Sequence, residues 1–68
     1  MIKSEVVKTA SQITELLKSQ GELEINEISK ILKQEEESVY LALGRLADEN
    51  KIFFYKEQSG IMKVSLSD

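Results

Sequence analysis

The sequence predicts an α+β domain whose elements run helix, strand, helix, helix, strand, strand (α-β-α-α-β-β). Three observations carry that reading. Apolar residues recur at helical spacing over three separate stretches, and a short polar break, Lys33-Gln34-Glu35, divides the second stretch from the third. A β-branched and aromatic run, Ile52-Phe53-Phe54-Tyr55, is then followed by Gly60 and a second alternating run.

Residues 4 to 20 form the first helix. Val6, Ala10, Ile13 and Leu17 are spaced by four, three and four, and Val7 and Leu16 widen that stripe. Gly21 follows as a left-handed stop. Glu22-Leu23-Glu24-Ile25 alternates polar with apolar, which suits a short edge strand. Asn26 is the expected N-cap of the second helix, with Ile28, Ile31 and Leu32 as its core face. That helix has only about two turns, so it depends on packing against its neighbours rather than on its own propensity. The third helix runs from about Glu36 to Asn50, with Val39, Ala42, Leu43 and Leu46 on one face. Asn50 caps it, because asparagine tolerates the left-handed conformation. Ile52 to Lys56 and Ile61 to Leu66 are the paired strands, the second with Met62, Val64 and Leu66 on one side. Gln58-Ser59-Gly60 closes the hairpin between them.

The whole chain, residues 1–68, is read as one domain, near the lower size limit for folding without staples. A domain of this size buries roughly 60% of its unfolded surface, so a partner that covers more area would add needed stability. With 41% apolar and 31% charged residues the composition is that of a globular chain rather than a disordered one. There is no proline, and the three glycines stand singly, so no linker is visible. The absence of cysteine excludes disulfides, and the absence of histidine as well argues against a zinc site. Neither a signal-length nor a membrane-length apolar run is present, and the expectation is a cytoplasmic protein without membrane contact.

The run Val39-Tyr40-Leu41-Ala42-Leu43-Gly44-Arg45-Leu46-Ala47-Asp48-Glu49-Asn50-Lys51-Ile52-Phe53, with the Gly60 hairpin and Val64-Ser65-Leu66, resembles a winged helix-turn-helix domain. It is especially similar to a family of small, free-standing bacterial winged-helix proteins of uncharacterised function. The resemblance covers nearly the whole chain and implies a three-helix core with a β wing. As a marker of function it is weak. Two positions depart from the usual pattern. Gln34 stands where an apolar turn residue is usual, and Glu35 stands where Ser, Thr or Asp would cap the third helix. Both departures imply a looser turn. Winged-helix relatives that bind left-handed DNA carry Asn-Arg-x-x-Tyr on this helix. The matching positions here are Tyr40, Leu41 and Gly44, so that specialised activity is not implied.

A helix-turn-helix usually places the start of its third helix in the major groove of DNA. Here that start is Glu35-Glu36-Glu37. Carboxylates in a first turn are stabilised by the helix dipole, by ~0.3–1 kcal/mol each. The same charges repel phosphate. Residues 34 to 50 hold five acids against Arg45, a net −4, whereas residues 51 to 68 are net +1, so the chain's overall −3 arises on the helix that would read DNA. Duplex affinity rests mainly on neutralised phosphates, which this helix cannot supply. The cations left for a backbone contact are Lys33, Arg45, Lys51, Lys56 and Lys63.

Turning 100° per residue from Val39 puts Leu41 and Gly44 opposite the core, with Tyr40 on the flank. A base-reading surface would show Arg, Lys, Asn, Gln or Ser there. Gly44 costs roughly 1 kcal/mol inside a helix, which the close approach of another backbone would offset. Phe53 and Tyr55 alternate with Ile52 and Phe54, so one of the two wing faces covers the helical core. The other packs on the short strand near Leu23 or continues the patch made by Tyr40. A scattered set of exposed apolar residues would need no explanation. Read as one patch, Tyr40, Leu41, Gly44, Phe53 and Tyr55 suit a protein contact, most simply a homodimer.

Two functional classes follow: a protein-interaction module using that patch, which the charge distribution favours, and a DNA-binding transcriptional regulator using the five cations. Catalysis is not expected. The acidic run lacks burial, no glycine-rich phosphate loop exists, and serines such as Ser38 and Ser59 have no histidine to activate them. No cofactor is implied.

Overall fold

A computed structural model describes residues 3–67. The elements are α1 (Lys3–Gln20), β1 (Glu22–Glu24), α2 (Ile25–Leu32), α3 (Glu36–Asp48), β2 (Ile52–Lys56) and β3 (Met62–Leu66). The order of types is the expected one. The strands form one antiparallel sheet in the order β1-β3-β2, with Leu23 opposite Val64, and Val64 opposite Phe54.

The core lies between the helices and one face of this sheet. Ala10, Ile13 and Leu17 of α1 are buried against Val39, Ala42, Leu43 and Leu46 of α3, and Leu23, Ile52 and Val64 close it from the sheet. Val7 of α1 stays exposed, so the α1 stripe is narrower than its apolar spacing suggests. Gly21 ends the helix at φ +91, its N–H bonded to the Leu17 carbonyl at 2.8 Å.

Three expectations for α2 and its turn are corrected. The N-cap is Glu24, not Asn26, because β1 runs straight into the helix and the Glu27 carboxylate accepts from the Glu24 N–H at 3.0 Å. Asn26 is exposed in the first turn. Ile31 is half exposed. Ile25 and Leu32 pack on the core to one side of the fully buried Ile28, which turns the buried face away from Ile31. The turn is also tighter than Gln34 and Glu35 imply. Lys33 takes the left-handed conformation (φ 56), the Gln34 N–H reaches the Ser29 carbonyl at 3.2 Å, and Ser29 Oγ donates back to the Gln34 carbonyl at 2.8 Å.

Helix α3 ends at Asp48, two residues before the expected end. Asn50 (φ 60) is the left-handed residue just past the cap, with its N–H on the Ala47 carbonyl at 3.0 Å and the Lys51 N–H on Leu46 at 2.9 Å. Strand β2 has the predicted bounds. Strand β3 starts one residue late, at Met62. Met62 shares a side with Val64 and Leu66 but borders an open cleft rather than the core, so it stays exposed. Gly60 (φ +92) turns the hairpin, and the Glu57 N–H meets the Ile61 carbonyl at 2.9 Å.

Candidate interaction surface

The exposed side of α3 is built by helical periodicity alone. With Val39, Ala42, Leu43 and Leu46 turned inward, Glu37, Leu41, Gly44 and Asp48 point outward, and Glu36 and Tyr40 lie on one flank. Tyr40 is 52% exposed and Leu41 49% exposed, so both offer apolar area to a partner. Apart from its chain neighbours and its own helix backbone, nothing lies within 4 Å of the place a Cβ at Gly44 would take. The cost of that glycine is therefore not offset inside one copy of the chain.

The structure divides Tyr40, Leu41, Gly44, Phe53 and Tyr55, the residues expected to make a protein contact, between two surfaces. Tyr40 borders a shallow cleft with Ile25 of α2 and with Ile61 and Met62 at the wing tip. Phe53 and Tyr55 lie on the opposite face of the wing, because Ile52 on β2 is buried and successive side chains alternate. A single aromatic face running from Tyr40 to Phe53 and Tyr55 does not form. Neither does the Phe53 and Tyr55 face pack near Leu23, which points into the core. It meets β1 at Glu22 instead, where the Tyr55 hydroxyl donates to the Glu22 carboxylate. The sequence places Ile61 and Met62 on the last strand, Met62 on the side of Val64 and Leu66, and does not connect them with Tyr40. The signal for them is two apolar residues directly after a hairpin glycine.

The outer wing face carries a polar chain as well. Lys63 Nζ lies 3.2 Å from Glu57 and 3.7 Å from Glu22. The hydrogen bond to Glu57, then its charge, hold the Lys63 ammonium above its ordinary pKa. The Glu22 carboxylate accepting from Tyr55 likewise raises the phenol. Both effects strap β1, β2 and β3 together at their exposed surface.

Most cations named for nucleic acid are occupied by carboxylates of the same chain. Arg45 Nε is 3.6 Å from Glu49, and Lys51 Nζ is 3.6 Å from the same residue. Lys63 is held as above. Among the described residues Lys33 and Lys56 are exposed and form no ion pair. They sit on different elements, Lys33 at the end of α2 and Lys56 at the end of β2. At the start of α3, Glu35 is the N-cap and Glu36 and Glu37 fill the first turn, and among the described residues no cation pairs with them.

No three His, Cys, Asp or Glu side chains gather in a metal-holding group among the described residues. No helix among them is long and apolar enough to cross a membrane.

A helix, a short strand, two further helices and a β-hairpin wing, in this order, make a winged helix-turn-helix domain. The winged helix-turn-helix domain family designated DUF2582 matches residues 1–65, and the chain belongs to that family. The chain is similar in structure to the YusO protein from Bacillus subtilis, known from an X-ray crystal structure, with a TM-score of 0.76 and 21% sequence identity. The alignment covers 97% of this chain and 55% of that one, so the chain spans about half the length of that neighbour. At that identity the likeness shows the fold alone. No curated protein matches the sequence.

Proposed function

We propose that this domain is a non-catalytic, cytoplasmic protein-contact module that pairs with a second copy of itself through surfaces of the third helix and the wing. The observation that carries this reading is the composition of the exposed side of α3. Where a groove reader needs cations and amides, the surface presents Glu36, Glu37, Leu41, Gly44 and Asp48, and the helix's one arginine is held by Glu49. Exposed apolar residues on the wing, Phe53, Phe54, Ile61 and Met62, support it from a second element. Pairing would also add buried area to a core built from few residues.

The alternative, a DNA-binding regulator, draws on Lys33 and Lys56, whose charges are not paired within the described residues. Two cations on different elements do not offset the five carboxylates between Glu35 and Glu49. Sedimentation equilibrium over a wide concentration range tests the proposal. A mass rising from 7.7 kDa toward twice that value is expected. A mass fixed at the monomer value into the high micromolar range would contradict self-pairing.

A further inference from the structure

The sheet has an open edge whose pattern is complementary to itself. In the order β1-β3-β2, strand β2 has β3 on one side and, among the described residues, no strand on the other. The β2–β3 register runs without a bulge from Ile52 opposite Leu66 to Lys56 opposite Met62. It is framed by the bonds from the Ser67 N–H to the Lys51 carbonyl (3.0 Å) and from the Glu57 N–H to the Ile61 carbonyl (2.9 Å). Antiparallel ladders alternate, so Lys51, Phe53, Tyr55 and Glu57 direct their backbone groups to β3. Ile52, Phe54 and Lys56 direct theirs outward. An edge of this kind is ordinarily blunted by proline, a bulge or inward-pointing charge. The chain has no proline and the strand no bulge; the one charge on the core-side face of β2 is Lys56 at its end, and Phe54 at its centre is 40% exposed.

We propose that two copies of this chain join along β2, antiparallel about a two-fold axis at Phe54, to make one continuous six-stranded sheet. The proposal rests on the protein-contact reading above and names the surface that the second copy occupies. In this register Phe54 faces Phe54 of the second copy, and Ile52 faces Lys56 in both directions. All three outward-directed residues of each strand are then satisfied, with two bonds per pair and about six in all. On the outer face Phe53 lies against Tyr55 of the second copy, and Lys51 against Glu57. Each odd-numbered position thus meets an aromatic or opposite-charge partner, the pairings that stabilise antiparallel strands. Moving the axis to Phe53 sets Lys56 against Asn50, which has left the strand at φ 60. Moving it to Tyr55 sets Phe53 against Glu57. Either shift leaves about four bonds. The axis at Phe54 uses the whole edge.

Amide hydrogen exchange of the nitrogen-labelled full chain tests this, read beside particle mass. In dilute protein Phe53 and Tyr55 are expected to be protected, and Phe54 and Lys56 to exchange freely. At concentrations where the mass doubles, exchange at Phe54 and Lys56 should slow by at least roughly tenfold. Because the chain has no cysteine, Phe54→Cys adds a clean second readout. Opposed hydrogen-bonded positions lie about 5.5 Å apart at Cα, within disulfide reach, so mild oxidation should link the dimer there and leave Leu41→Cys unlinked. A dimer that crosslinks through Leu41→Cys, with Phe54 and Lys56 still exchanging freely, would overturn edge pairing while leaving the protein-contact reading in place. A monomer at every concentration would overturn both.

Discussion

The Tyr55 hydroxyl on β2 donates to the carboxylate of Glu22 on β1, across the intervening strand β3 and 33 residues along the chain. Lys63 of β3 stands between them, bound to Glu22 and to Glu57. The wing is therefore fastened to the rest of the domain at its exposed face by one acid shared between a phenol and an ammonium.

That sharing has a sign. Both Tyr55 and Lys63 have pKa values raised above their ordinary 10.0 and 10.5. The folded state then holds protons that the unfolded state releases, so this contribution is complete below about pH 10 and is lost as pH rises through the folded values. In a Tyr40→Phe background, where Tyr55 is the remaining tyrosine, phenolate absorbance should titrate above pH 10 and return to the ordinary value on Glu22→Gln. A midpoint at or below 10.0 in the Tyr40→Phe protein would show that the strap does not form.

Gly44 sits in the middle of α3 with open space where its Cβ would be. Gly44→Ala should stabilise the isolated monomer by roughly 0.5–1 kcal/mol, the ordinary helical difference between the two residues. Urea unfolding in dilute protein measures it. Destabilisation in that regime would mean that the helix is crowded there within one chain.

Two residues of similar apolar character should respond very differently to truncation. Leu43 is fully buried beneath α3, and Leu43→Ala is expected to cost about 2–5 kcal/mol, a large share of the stability of a domain this small. Ile31, half exposed on α2, should lose under ~0.5 kcal/mol on Ile31→Ala. Equal losses would mean that Ile31 belongs to the core after all.

Lys56 carries an outward-directed N–H at the end of β2. Lys56→Pro removes that donor without touching a bond to β3, the position at which an edge strand accepts proline. The variant should remain folded by circular dichroism while its mass shifts toward the monomer. An unchanged dimer would argue that β2 is not the paired edge.

The contrast between Leu43 and Ile31 also marks what was legible in the sequence. A 13-residue helix such as α3 repeats its apolar spacing often enough that Val39, Ala42, Leu43 and Leu46 define its buried face without ambiguity. In the eight residues of α2, two candidate faces differ by one isoleucine, and the packing of Ile25, just past β1, decides between them. The N-cap eluded residue preference for a related reason. Glu24 starts the helix because the strand ends there and Glu27 folds back to it. The candidate surface was legible residue by residue and not as a surface. Alternation separated Phe53 and Tyr55 from Ile52 and Phe54, but which wing face adjoins Tyr40 depends on how the hairpin crosses the helices. That crossing sets Tyr40 beside Ile61 and Met62.

On the reading proposed above, the acidic third helix of this winged helix-turn-helix domain turns DNA away and the wing pairs with a second copy of the chain. The most direct measurement is a titration of the nitrogen-labelled chain with mixed-sequence duplex DNA at low salt, where phosphate contacts are strongest. Resonances of Glu36 through Asp48 are expected to stay in place, with linewidths that broaden only as protein concentration rises. Salt-reversible shifts along α3, joined by Lys33 and Lys56, would contradict the claim and make the domain a DNA binder.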